Sequence, residues 1–279
     1  MPRSSPSERH RAALLVPFLY AYLTRMKGAR GFVFNAATLW GPGLILTAGL
    51  GGMGPAGAVP AYAGGYLAFI CLYELGYLAN DSWGLRHDST PRRRLGFAPS
   101  PGFAAAFVAI RIAVVLALAA WWGGLAEGWF WVAVGALVAA MLAHNLLVRE
   151  EFKPLTFFQM STLRFATPVV LATGGAQAPA VLAAGMLLFV FPRLLTYLDA
   201  KDRLRLPERR APGFALGLQL LAAPLVAVLA WAAGSWAVVL AWAWLLVFAG
   251  AVALAGRMGR LPERPADATP APSSPPDAP

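Results

Sequence analysis

Eight apolar runs of about 20 residues follow one another along this chain, near 33–52, 60–80, 102–122, 129–148, 157–174, 179–198, 213–233 and 236–256. At about 1.5 Å rise per residue, each is long enough as a helix to cross the roughly 30 Å hydrocarbon layer of a bilayer. A lipid-exposed segment must satisfy its own backbone polar groups, which a helix does internally. Gly or Pro marks several of the boundaries: Gly51-Gly52, Pro101-Gly102, Gly123-Gly124, Gly174-Gly175 and Gly234. The expected fold class is therefore all-α, a multi-pass membrane bundle of about eight helices in two four-helix halves.

The charges agree with that reading. They make up 13% of the chain, about half the share of a soluble domain, and they cluster between the apolar runs. Connections 53–59, 123–128, 175–178 and 234–235 together hold one charge, Glu127. The N-terminus and connections 81–101, 149–156, 199–212 and 257–264 all hold Arg or Lys. Basic loops mark the cytoplasmic side, so both termini are expected there, in the cell inner membrane. The net charge of +10 is explained by these loops and does not call for a nucleic-acid partner.

The ends of the chain are different. Residues 12–24 are apolar but short, and Pro17 interrupts them. They are expected to form an interfacial helix within a cytoplasmic segment, 1–32. The spanning domain is 33–256, and the Pro-, Ala- and Ser-rich residues 257–279 are expected to be a disordered cytoplasmic tail. Met1–Arg11 is polar and lacks the apolar core of a secretory signal. Cys71 is the lone cysteine, which excludes an intramolecular disulfide and a Cys-rich metal site.

Chemistry concentrates in Tyr73–Arg94. Span two carries Glu74 and ends in Asn80-Asp81, with Asp88 seven residues on and then Pro91-Arg92-Arg93-Arg94. On a continuing helix, seven residues is about two turns, which places Glu74, Asp81 and Asp88 on one face. Span six ends in Tyr197-Leu198-Asp199-Ala200-Lys201-Asp202-Arg203. The layout suggests parallel repeats, spans 1–4 and 5–8, each with acids after its second helix. Such carboxylates hold a cation or pair with a base. Glu74 has two readings, an ion pair with Arg164 or Arg111, or an acid/base or substrate-orienting role. His144 and Asn145 close span four near the same surface, where a helix-end hydrogen bond is the plain alternative to a site role.

Two acidic motifs at cytoplasmic helix ends resemble the UbiA-type intramembrane prenyltransferase superfamily. Its first motif is Asn-Asp-x-x-Asp-x-x-x-Asp before a loop with Pro and Arg; here Asn80, Asp81 and Asp88 are in register, and Gly84 stands at the middle acid. Its second motif is Asp-x-x-x-Asp; here Asp199 and Asp202 are one residue tighter. The family usually has nine spans, one more than are read here. Asn35 resembles a polar residue of the family's first helix. The resemblance implies transfer of a prenyl group from a prenyl diphosphate to a small-molecule or lipid acceptor within the bilayer, dependent on Mg²⁺. Asp81, Asp88, Asp199 and Asp202 would be the catalytic metal ligands. Asn35, Asn80, Arg92, Arg93, Tyr77, Tyr197, Lys201 and Arg203 would bind substrate, with Arg94 adding countercharge and Tyr73 a further aromatic face for an allylic cation. The rival classes are a non-catalytic prenyl-lipid-binding relative and a small membrane transporter. The Asp-Gly…Ala-Arg pattern of CDP-alcohol phosphotransferases is absent.

Overall fold

The computed structural model describes residues 6–26, 28–82, 94–147 and 149–259. Two short helices open the chain, α1 (Pro6–Leu15) and α2 (Leu19–Arg25). Eight long ones follow: α3 (Ala29–Leu50), α4 (Pro55–Ser82), α5 (Pro101–Trp121), α6 (Gly128–Leu146), α7 (Lys153–Thr173), α8 (Gly175–Ala200), α9 (Phe214–Ala232) and α10 (Ala237–Arg257). Among the described residues there is no strand. The protein is an all-α, multi-pass membrane bundle, and each of the eight expected spans falls on one long helix.

Seven of these helices are long and apolar enough to cross a membrane. The exception is α7, which has the length, 21 residues, but carries Thr156, Gln159, Ser161, Thr162, Arg164 and Thr167. Its position explains this. α7 packs against α3, α4, α6 and α8, and most extensively against α4. A helix walled in by others keeps little lipid-facing surface and tolerates polar groups that find partners. Thr162 donates to the Phe158 carbonyl and Thr173 to that of Val169, both at 2.9 Å. α4 and α7 approach closely because Gly65 lies against the Pro168 carbonyl, where a methyl group would overlap the oxygen. Between helices in lipid, such backbone approach replaces the hydrophobic drive that works in water.

Two spans carry a π turn. In α3 it covers Ala36–Trp40 and in α8 Met186–Val190, and Pro42 and Pro192 follow two residues beyond each. Gly41 N–H bonds back five residues to the Ala36 carbonyl, and Phe191 N–H to that of Met186. Proline contributes no N–H, so each ladder leaves carbonyls short of a helical donor. Trp244 Nε1 donates to the Ala37 carbonyl at 2.7 Å, and Gln219 Nε2 to that of Leu188 at 3.4 Å. Asn35 immediately precedes the first π turn, and Arg193 follows the second.

The N-terminal segment does not lie on the bundle as a lone interfacial helix. It breaks at Pro17 into α1 and α2, with Leu14, Tyr20 and Ala21 buried. What holds it is the Glu74–Arg111 pair, in which both side chains are fully buried. Arg111 Nε and Nη2 donate to Glu74 Oε2 at 3.1 and 2.8 Å. The same guanidinium donates to the carbonyls of Leu15 at 2.7 Å and Leu14 at 3.0 Å. Glu74 Oε1 accepts from Ala21 N–H at 2.8 Å, and Oε2 from Phe18 N–H at 3.3 Å. Phe18 sits at φ 75°, a left-handed conformation that a bulky residue holds only when its surroundings impose it. Of the two arginines expected to face Glu74, the partner is Arg111.

Candidate functional site

A cavity of about 240 Å³ lies at the end of the bundle where α4 and α6 finish and α7 begins. The last three turns of α4 supply Tyr73, Gly76, Tyr77 and Asn80. α6 supplies Met141, His144 and Asn145, and α7 supplies Phe157, Met160, Ser161 and Arg164. Arg193 enters from α8, Arg25 from the end of α2, and Arg94 from the segment before α5. The wall thus combines apolar and aromatic side chains with four guanidiniums.

These arginines fall into two pairs. Arg25 and Arg94 share one carboxylate, the buried Asp81. Arg25 Nη2 donates to both Asp81 oxygens at 2.8 Å, and Arg94 Nη1 donates to Oδ1 at 3.2 Å. Tyr20 Oη donates to Oδ2 at 2.8 Å. Burial, and then the Asp81 charge beside it, hold the Tyr20 hydroxyl far above the ordinary phenol range. Arg25 also lies over the Tyr77 ring, 4.3 Å from its centre.

Arg164 and Arg193 are different, because neither has an acidic partner among the described residues. Arg164 sits eleven residues into α7, roughly 16 Å along its axis. It donates through Nη2 to Asn35 Oδ1 at 2.7 Å, and Asn35 Nδ2 donates to the Gly31 carbonyl at 2.7 Å. Asn35 therefore sets the position of Arg164. Arg193 lies against the Phe189 ring at 4.9 Å, and its Nε is buried without a hydrogen-bond acceptor. An ionised side chain inside a spanning helix is costly and marks a pathway or a ligand counter-charge.

The hydrogen bonds around His144 assign it a tautomer. Its Nδ1 lies 2.9 Å from Thr156 Oγ1, and that hydroxyl donates to the Lys153 carbonyl at 3.1 Å. The hydroxyl proton is thereby used, so Nδ1–H is the donor to Oγ1, which leaves Nε2 as the basic nitrogen.

The residues singled out by sequence divide sharply. Asn80 and Tyr77 line the cavity. Asp81 stands at its edge, turned to the arginines. Tyr197 stacks on the lining residue Phe157, ring centres 4.2 Å apart. Asp199 is tied to its own loop: Oδ1 accepts from Leu206 N–H at 2.7 Å, and Oδ2 pairs with Arg209. Asp202 is exposed and adopts φ 52°, and Arg203 N–H bonds back to the Leu198 carbonyl at 2.9 Å. That is the left-handed residue that ends a helix. Lys201 and Arg203 are exposed beside it and do not reach the cavity. Asp88, Arg92, Arg93 and Gly84 lie outside the described residues.

Of the four carboxylates that the resemblance implies as Mg²⁺ ligands, Asp81, Asp199 and Asp202 are among the described residues. Both Asp81 oxygens accept from guanidinium or phenol, both Asp199 oxygens bond within its own loop, and Asp202 is exposed. No group of three or more His, Cys, Asp or Glu side chains gathers among the described residues. Sequence reasoning missed Arg25 and Arg193 altogether and treated Arg164 only as a partner for Glu74. The available signal was plain: Arg193 interrupts an otherwise uncharged 20-residue run. Comparison of the chain with protein-family models, with curated proteins and with solved structures finds no match.

Proposed function

We propose that this protein is a divergent member of the UbiA-type prenyltransferases, which binds a prenyl diphosphate at the cavity and transfers its prenyl group to an acceptor in the membrane. One observation carries the reading. Among the described residues, Arg164 and Arg193 lack an acidic partner, and both line a cavity with apolar and aromatic side chains. That combination suits an amphiphile with an anionic head. The cavity volume suits a headgroup rather than a whole isoprenoid, since sites for whole ligands run about 300–1,000 Å³. Met141, Met160 and Phe157 form the apolar side along which the tail leaves.

In this reading the bond between the allylic carbon and the diphosphate oxygen breaks, and its electron pair leaves with the diphosphate. The guanidiniums neutralise the charge that develops on the leaving group. The π faces of Tyr73 and Tyr77 stabilise the allylic cation. The acceptor bonds to that carbon and releases a proton, which His144 Nε2 takes. The basic connections support a topology with both termini on the cytoplasmic side of the cell inner membrane.

A second reading, a prenyl-lipid-binding relative without turnover, is favoured by the ion pairs that occupy Asp81 and Asp199. The test is to incubate the purified protein with a labelled prenyl diphosphate and a membrane lipid extract. Transfer releases diphosphate and adds one prenyl mass to an extracted molecule, and His144→Gln lowers that turnover without weakening binding. Binding with no release of diphosphate favours the second reading, and no binding overturns both.

A further inference from the structure

Asp81 and Asp199 are committed to arginine, whereas Arg164 and Arg193 have no acidic partner among the described residues. We infer that the cavity holds a diphosphate headgroup directly through Arg164 and Arg193, with Arg25 and Arg94 completing the cradle, and without a divalent cation. The inference rests on the proposed function for the prenyl tail alone; the headgroup chemistry stands on the arginines.

Charge is the first support. Among the described residues, four guanidiniums line the cavity and one carboxylate, Asp81, touches two of them, a balance of three positive charges. A diphosphate ester carries about three negative charges once its terminal phosphate has lost its second proton, near pH 6. Geometry is the second. Arginine presents a planar fork that matches phosphate oxygens two at a time, and the buried Arg193 Nε still has a hydrogen to donate. Competition is the third. A magnesium ion needs carboxylate oxygens in a near-octahedral shell. Here the Asp81 oxygens are taken by Arg25, Arg94 and Tyr20, and an incoming cation meets two guanidiniums at close range.

Asp81 is then a counter-ion at the cavity edge. It competes with the ligand for Arg25 and Arg94, and its charge works against an anion in the cavity. The consequence separates the two schemes. Where Asp81 is a metal ligand, Asp81→Asn abolishes binding. Where it is a counter-ion, Asp81→Asn leaves binding in place or tightens it.

The experiment is an equilibrium titration of the purified full chain in detergent with farnesyl diphosphate, farnesyl monophosphate and inorganic diphosphate, in EDTA and again in Mg²⁺. Farnesyl diphosphate is expected to bind in EDTA within about threefold of its affinity in Mg²⁺, and Asp81→Asn within about threefold of the parent or tighter. Arg193→Gln is expected to weaken binding at least about tenfold and Arg193→Lys by less, because the charge remains and the fork is lost. Thermal unfolding of each variant shows whether it is folded. Binding that appears only with Mg²⁺, or that a folded Asp81→Asn protein loses, overturns the inference and leaves the prenyl reading standing. Inorganic diphosphate binding in EDTA as tightly as the farnesyl ester upholds the inference and removes the prenyl reading. No binding of either diphosphate in either buffer overturns both.

Discussion

At the level of single residues, the four cavity arginines occupy two different energetic states. Arg25 and Arg94 share the single charge of Asp81, whereas the half-buried Arg164 and Arg193 have no acidic partner among the described residues and rest on the Asn35 hydrogen bond and the Phe189 ring. Removing an uncompensated buried charge relieves a desolvation cost. Arg193→Gln is therefore expected to raise the melting temperature while it weakens anion binding, the trade commonly seen where a site is built against stability. Differential scanning of parent and variant without ligand checks this, and a lower melting temperature in the variant speaks against an unpaired Arg193. Tyr20 gives a pH-dependent counterpart. Burial and then Asp81 raise its pKa, so the fold favours the neutral hydroxyl. Its contribution is complete below the ordinary phenol pKa of about 10 and is lost as pH rises beyond it. Tyr20→Phe is expected to cost about 1.5–3 kcal/mol at neutral pH, the worth of a hydrogen bond to a charged group. The variant is also expected to lose less stability than the parent between pH 9 and pH 11 (roughly one unit either side of that pKa). Equal alkaline slopes in the two proteins contradict the assignment.

At the level of elements, the N-terminal pair α1–α2 depends on one buried ion pair in the middle of the bundle. Glu74 and Arg111 together bind five backbone groups between Leu14 and Ala21. Breaking the pair from one side strands the other charge, so Glu74→Gln is expected to destabilise by roughly 3–5 kcal/mol. It is also expected to speed amide exchange across α1 and α2 before the rest of the bundle. Glu74→Leu with Arg111→Met, which removes both charges, recovers part of the global stability but not the protection of α1–α2. Exchange that rises evenly over all helices contradicts this anchoring role. The spans were legible in the sequence because their signal is length and continuous apolarity, which no tertiary contact alters. The ends of α4 and α8 were legible too, as acids beside basic loops. What those acids bond to was not. Asp81 pairs with Arg25, 56 residues away, and Asp199 with an arginine beyond a loop whose path the sequence does not define. α7 reads in sequence as one more span, and its enclosure by four neighbours emerges only from the packing.

For the whole molecule, the cavity and the basic connections occupy the same end of the bundle, since Arg94 and the ends of α4, α6 and α8 all meet there. Reporter fusions after Arg94, Lys153, Arg205 and Arg260 are expected to report the cytoplasm, and fusions in 123–128 and 234–235 the opposite side. A fusion after Arg205 on the outer side would separate α8 from the other cavity walls and contradict the topology. The same bundle end accounts for the placement of function. The apolar helices carry the membrane, and α7 brings polar groups to the interior. The π turns in α3 and α8 adjoin the residues that position Arg164 and supply Arg193. The decisive measurement is an experimental structure with a non-hydrolysable prenyl diphosphate analogue bound. Its two phosphorus atoms are expected between Arg164 and Arg193, with phosphate oxygens about 2.7–3.1 Å from both guanidiniums. A diphosphate bound away from both arginines, or held by metal against Asp199, would contradict the arginine-cradle reading.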